Sequence, residues 1–122
     1  MLLHLDFTID IPIYQQIRNE IVRGIAAGSL PDGELLPPIR TLAEDLGVNM
    51  MTVSKAYSLL KQEGYIHTDR RAGTRVCAHR QAGMSTELLQ KLELAVSEAK
   101  ATGIDLDEIL SVCRTVYEGG AL

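Results

Sequence analysis

The stretch Val48–Tyr57, VNMMTVSKAY, sets two hydroxyls, Thr52 and Ser54, beside the ammonium of Lys55. Arg40 precedes it, and three further guanidinium groups, Arg70, Arg71 and Arg75, follow it. Hydroxyls and cations donate hydrogen bonds to phosphate oxygens, and the fork of an arginine suits a phosphate or a guanine edge. This chemistry grips a nucleic acid; it does not break bonds. No Ser–His–Asp set, phosphate-cradling glycine loop or carboxylate pair stands out. Asp105, Asp107 and Glu108 are better explained by helix capping and the helix dipole. His4, His67 and His79 have no ligand spacing with Cys, Asp or Glu, so no metal, cofactor or catalytic centre is expected. Cys77 and Cys113 lie in different segments and read as free thiols, with nothing to imply an oxidising compartment.

The chain of 122 residues is long enough for one domain, or for a small domain plus an appendage. Hydrophobic residues make up 46% and charged residues 23%, an ordinary balance for a soluble protein. No apolar run approaches the ~18 residues of a membrane span. The opening MLLHLDF lacks the basic start and apolar stretch of a signal peptide, so a cytoplasmic protein without a membrane partner is expected. The net charge of -4 argues weakly against nucleic acid, but it is unevenly spread. Residues 49–82 carry an excess of four positive charges, and residues 83–122 an excess of four negative ones. A local basic patch matters more than the total.

The cations need elements to hold them. Residues 2–9 look extended, with Leu3, Leu5 and Phe7 alternating against His4, Asp6 and Thr8. Pro12 suits the first turn of a helix, in which Ile13, Ile17, Ile21 and Ile25 form one face, with Tyr14 beside them and Gly28 at the end. Residues 29–38 are turn-rich. Pro38 suits the first position of a short second helix, which turns Leu42, Ala43 and Leu46 inward and stops at Gly47. Asn49 is an N-cap for a third helix, its side chain accepting from the Thr52 N–H, and Gly64 ends that helix. Val53, Ala56, Tyr57 and Leu60 form its buried face. At ~100° per residue, Met50 falls near that face and is expected to tuck against the core edge, whereas Met51 points away with Lys55, Ser58 and Gln62.

Two helices joined by a short turn containing glycine make a helix-turn-helix pattern, which other pairs of short amphipathic helices share. The next segment, YIHTDRRAGTRVCA, reads as strand, basic turn and strand, running to Ala78: a wing. A polar linker, HRQAGMS, leads to a helical pattern over residues 85–102, with Leu88, Leu92, Ala95 and Ala99 in one row and Leu89 and Val96 widening it. Gly103 breaks it. Asp105 and Glu108 form a possible capping box for a last helix that carries Leu106, Ile109, Leu110, Cys113, Val116 and Tyr117.

The run GELLPPIRTLAEDLGVNMMTVSKAY, followed by GYIHTDRRAGTRV, resembles the GntR family of bacterial transcription regulators. Gly33, Leu36, Pro37, Arg40, Leu42, Ala43, Leu46, Gly47, Val48, Thr52, Val53, Gly73 and Thr74 match its shared pattern, and PIYQQIRNEIVRGIAAGSL resembles its first helix. The short remainder is similar to the small YtrA-like branch, in which a C-terminal helical pair dimerises and whose members often sit beside transporter genes. Three positions depart from the family pattern: Arg71 where the wing usually has Gly, Arg75 where an aromatic commonly follows Gly–Thr, and no Arg at the start of the third helix.

Together these readings predict a mostly α protein: a winged helix-turn-helix domain over residues 1–79 and a two-helix dimerisation tail over residues 80–122. The resemblance implies a DNA-contacting set of Pro38, Arg40, Asn49, Met51, Thr52, Ser54 and Lys55, with Arg70, Arg71, Gly73 and Arg75 on the wing. Arg40 has a plainer alternative, a pairing with Glu44 one turn on. Leu88, Leu92, Val96, Ala99, Ile109, Leu110, Cys113 and Val116 are the expected dimer contacts, because one hairpin cannot bury both apolar faces. The implied function is a homodimer that represses by covering a pseudo-palindromic double-stranded operator. A winged helix serving as a protein-interaction adaptor, without specific DNA binding, is the alternative of another class. A small-molecule-sensing regulator would share the fold, and with no distinct effector domain its pocket would have to lie at the tail or the tail–wing junction.

Overall fold

A computed structural model describes residues 3–77, 83–120 and 122. The elements run α1 (Ile13–Ala27), α2 (Ile39–Leu46), α3 (Met50–Gln62), β1 (Ile66–Asp69), β2 (Gly73–Val76), α4 (Thr86–Ala101) and α5 (Leu106–Tyr117). They form two compact units, one ahead of residue 80 and one from residue 80 on. Ala78, and residues 79–82 of the expected linker, lie outside the described residues.

The first unit grows from the isoleucine row of α1. Ile17 and Ile21 are fully buried, and Ile13 and Ile25 pack half-buried at either end. Against them lie Leu42 and Ala43 of α2, Val53, Ala56, Tyr57 and Leu60 of α3, and Ile66 and Val76 of the strands. Gly28 ends α1 at φ 82°, and Gly47 ends α2 at φ 68°, where an L side chain would be strained. The Gly47 turn is closed by the Val48 N–H donating to the Ala43 carbonyl at 3.0 Å, so the α2–α3 corner is fixed by backbone.

Pro12 and Pro38 sit one residue earlier than their sequence suggests. Each is the N-cap, with ψ of 145° and 153°, because its own backbone is still extended. Each still serves its helix: the carbonyls of Pro12 and Pro38 accept from the Gln16 and Leu42 N–H groups. At Asn49 the side-chain Oδ1 accepts from Met51 N–H at 2.8 Å, and Thr52 N–H goes instead to the Asn49 carbonyl at 3.0 Å. A side chain as short as asparagine reaches the second helical N–H as readily as the third.

Two N-terminal expectations change. Residues 33–36, read as turn, lie alongside β2: Gly33 N–H donates to the Val76 carbonyl, Val76 N–H to Glu34, and Leu36 N–H to Thr74, at 2.8–3.0 Å. They extend the antiparallel β1–β2 ribbon, whose register pairs Ile66 with Val76 and Asp69 with Gly73. The expected alternation from Leu3 to Phe7 stops at Leu5: Leu3 and Leu5 pack on the core, but Phe7 is 65% exposed where the chain turns.

That N-terminal segment hangs on one buried polar side chain, Gln16, 6% exposed. Its amide donates to the carbonyls of Asp6 and Ile11 and accepts from Asp6 N–H, all at 2.8 Å. Gln16→Leu strands these three backbone groups and is expected to lower stability by about 1–3 kcal/mol, measured by urea unfolding. An unchanged midpoint would mean that residues 6–11 are not anchored there.

In the second unit, Ser85 Oγ accepts from Leu88 N–H and caps α4, and Asp105 Oδ1 accepts from Glu108 N–H and caps α5. Neither helix buries a residue. Ala99 and Ile109 are half-buried, whereas Leu88, Leu92, Val96, Leu110, Cys113 and Val116 are exposed. The hairpin by itself therefore leaves most of its apolar stripe uncovered.

Candidate nucleic-acid interface

Helix α3 buries Val53, Ala56, Tyr57 and Leu60, which forces its opposite side outward. On that side Met51 is 77% exposed, and Lys55, Ser58 and Gln62 are exposed with it. Thr52 and Ser54 are half-exposed flanks. Met50 does not tuck in as its helical phase suggested. Leu46 and Val48 already pack on the core just ahead of it, and it stays 46% exposed. Met51, Thr52, Ser54 and Lys55 line an open depression of about 490 Å³, together with Tyr14 from α1. The Lys55 ammonium stands 4.1 Å from the centre of the Tyr14 ring.

Arg40 is the second residue of α2 and is exposed. Among the described residues the ion pairs are Arg18–Glu63 and Arg23–Glu20, so the Arg40–Glu44 pairing does not form. Its position is set from beneath. The Tyr57 hydroxyl, on the buried face of α3, donates to the Pro37 carbonyl at 2.7 Å and pins the Pro37–Pro38 corner from which α2 starts. Burial pushes the Tyr57 pKa well up, so the hydroxyl stays a donor throughout the working pH range. Pro38 and Asn49 are exposed at the two N-caps.

The wing has its own support. Gly73 has φ 78°, and a Cβ there would meet Leu35 at 3.0 Å. Asp69 accepts from Arg71 N–H at 2.8 Å across the turn. The backbone N–H groups of Arg71 and Ala72 lower its pKa, so this support is present above the ordinary carboxylate range and is lost as pH falls through the lowered value. Arg70 and Arg71 extend from the tip, both exposed. Arg75 differs: its Nη1 donates to the Gly33 carbonyl at 2.8 Å, which partly commits the guanidinium to bracing the ribbon. A strut at the wing base joins α1 to the end of α3, where Arg18 makes two 2.9 Å bonds to the Glu63 carboxylate. That carboxylate raises the Arg18 pKa.

The structure thus gathers Met51, Thr52, Ser54 and Lys55 in one depression, and leaves Pro38, Arg40, Asn49 and the wing residues outside its lining. Sequence reasoning missed Tyr14 as a wall of the site and the Tyr57 hydroxyl as a strut. For Tyr57 the available signal was a tyrosine on an otherwise apolar face, whose polar tip needs a partner.

Residues 13–76 match the family model of bacterial regulatory proteins, gntR family. The chain belongs to the GntR family. The HTH-type transcriptional repressor YtrA of Bacillus subtilis is 32% identical over 102 residues, 80% of this chain and 78% of that protein. YtrA from Sulfolobus acidocaldarius, a GntR-family transcription factor, superposes with a TM-score of 0.70 at 37% identity, over 83% of this chain and 99% of that one. AraR(DBD), solved in complex with operator ORE1, superposes with a TM-score of 0.53 at 26% identity, over 63% of this chain and 94% of that one. Against the regulator Rv1152 of Mycobacterium tuberculosis, 41% identical over 63 residues, the chain spans about half of that protein's length, 52%. The matched residues of this GntR protein carry a winged helix-turn-helix DNA-binding fold, in a family of transcription regulators and not of enzymes. Among the described residues, no helix is long and apolar enough to cross a membrane.

Proposed function

We propose that this GntR protein is a cytoplasmic repressor that binds a pseudo-palindromic operator as a homodimer. Residues 1–79 read the DNA and residues 80–122 hold the two copies together. The observation that carries the reading is the outward face of α3, where Thr52, Ser54, Lys55 and an exposed Met51 open one depression unblocked by any side-chain ion pair among the described residues. Arg40 and the wing arginines add cations on neighbouring elements, each a candidate for a phosphate or base edge. Repression follows from occlusion of a promoter, and the similarity to the B. subtilis transcriptional repressor YtrA supports it. Transporter genes are the targets that the YtrA-like branch suggests.

Selection of duplexes by the purified protein from a random pool tests the proposal. One enriched inverted repeat is expected, bound with an affinity that falls steeply with salt. Recovery of an unenriched pool, with no salt-dependent shift, would favour the adaptor reading.

The selected site also tests Met51. A methionine offers no bidentate hydrogen bonds but makes apolar contact, most naturally with a thymine methyl. Replacing one operator thymine by uracil should weaken wild-type binding and leave Met51→Ala binding unchanged. If uracil is tolerated at every position, and Met51→Ala selects the same site equally well, Met51 reads nothing.

A further inference from the structure

One wall of the α3 depression comes from outside the helix-turn-helix. Tyr14 belongs to α1, is half-buried, and packs against the core beside the isoleucine row. Its ring is therefore fixed by the fold. The Lys55 ammonium lies 4.1 Å from the ring centre, inside the ~6 Å range of a cation–π contact. No carboxylate pairs with Lys55 among the described residues, so its charge is held in place without being neutralised.

We propose that Tyr14 is a positioning residue for DNA binding: its ring holds the Lys55 ammonium at the edge of the α3 depression, ready to meet a phosphate. The inference rests on the DNA-binding reading above. A lysine is a strongly hydrated point charge on a flexible stem, and much of what it gains at a phosphate is offset by ordering that stem. An aromatic face orders the stem beforehand and leaves the positive charge intact for the anion. An acidic partner would order it equally well and cancel the charge. The ring, and not the hydroxyl, is the active part: among the described residues the Tyr14 hydroxyl has no hydrogen-bond partner.

Titration of the full-length protein with the selected operator, at several salt concentrations, compares wild type with Tyr14→Phe, Tyr14→Leu, Lys55→Met and the Tyr14→Leu/Lys55→Met double variant. Per half-site, Tyr14→Leu should weaken binding about three- to fivefold, the scale of one exposed cation–π contact. Lys55→Met should weaken it more, and lower the salt slope by about 0.9 per lost phosphate contact. The double variant should be no weaker than Lys55→Met, and Tyr14→Phe should match wild type. A DNA-free measurement runs beside these: the Lys55 ε-methylene protons should be ring-shifted upfield in wild type and Tyr14→Phe, and not in Tyr14→Leu. Equal losses in Tyr14→Phe and Tyr14→Leu, losses that multiply in the double variant, or no ring shift in wild type would each overturn the proposal. If wild type binds and Tyr14→Leu binds as tightly, the positioning role alone falls. If wild type shows the ring shift but binds no DNA, the DNA-binding reading fails and takes the positioning role with it.

Discussion

A Leu92→Glu/Leu110→Glu double variant is expected to sediment as a monomer at concentrations where wild type is a dimer, and to lose at least about a hundredfold in operator affinity. Both side chains are exposed within one chain, Leu92 at 42% and Leu110 at 53%, on helices that bury nothing of their own. Exposed apolar side chains grouped on the two helices of one hairpin are what a dimer interface would cover. A second copy with the same stripe is the simplest cover, because a two-fold interface matches a patch to itself. A carboxylate carried into that contact must shed its water without a partner, which costs several kcal/mol. In the isolated hairpin the same carboxylate stays hydrated, and the Ser85 and Asp105 caps are untouched, so helix content should hold. The DNA effect follows because two linked half-sites share one association, and the monomer keeps only one of them. A wild-type chain that sediments as a monomer, or a double variant that stays dimeric, would remove the tail from this role.

Local signals carried most of the fold into view. The four-residue isoleucine spacing marks α1, glycines at positive φ mark the ends of α1 and α2, and the apolar phase of α3 separates Val53 from Met51 by ~160°. Each depends on neighbours a few positions away. The same phase misplaced Met50, because periodicity gives a direction and not the competition for space at a core edge that Leu46 and Val48 already fill. The pairing of residues 33–36 on β2 was hidden for another reason. Prolines and glycines around it signal turns, and the hydrogen bonds that make it strand-like come from a partner far along the chain.

The candidate site divides along the same line. The donors of α3 and the wing arginines are visible as residue types in sequence. What holds them is not visible, since the Tyr14 ring under Lys55, the Tyr57 hydroxyl on Pro37 and the Gly33 carbonyl on Arg75 all join segments that meet only after folding. Arg75 shows the consequence. Its charge reads as a wing contact, yet part of its hydrogen-bonding capacity is spent within the protein, which makes Arg70 and Arg71 better candidates than Arg75 for a phosphate.

Arg40→Ala is expected to weaken operator binding by about 1–3 kcal/mol per half-site, the scale of a well-placed arginine contact. The fold should hold within about 0.5 kcal/mol by urea unfolding, because the side chain is exposed, makes no ion pair among the described residues and lies outside the core. The α2 start is pinned independently by the Tyr57–Pro37 bond, so truncation at Arg40 leaves the corner in place. Salt dependence then separates two contacts that affinity alone confuses. If Arg40 meets a phosphate, the salt slope drops by about 0.9 and every sequence loses affinity alike. If it reads a guanine edge, the slope stays and discrimination at one base pair relaxes. Its place at the first turn of α2, a helix that precedes α3 and contributes nothing to the lining of the α3 depression, favours the phosphate outcome. An Arg40→Ala protein that binds as tightly as wild type would mean that the α2 N-terminus does not face the DNA at all.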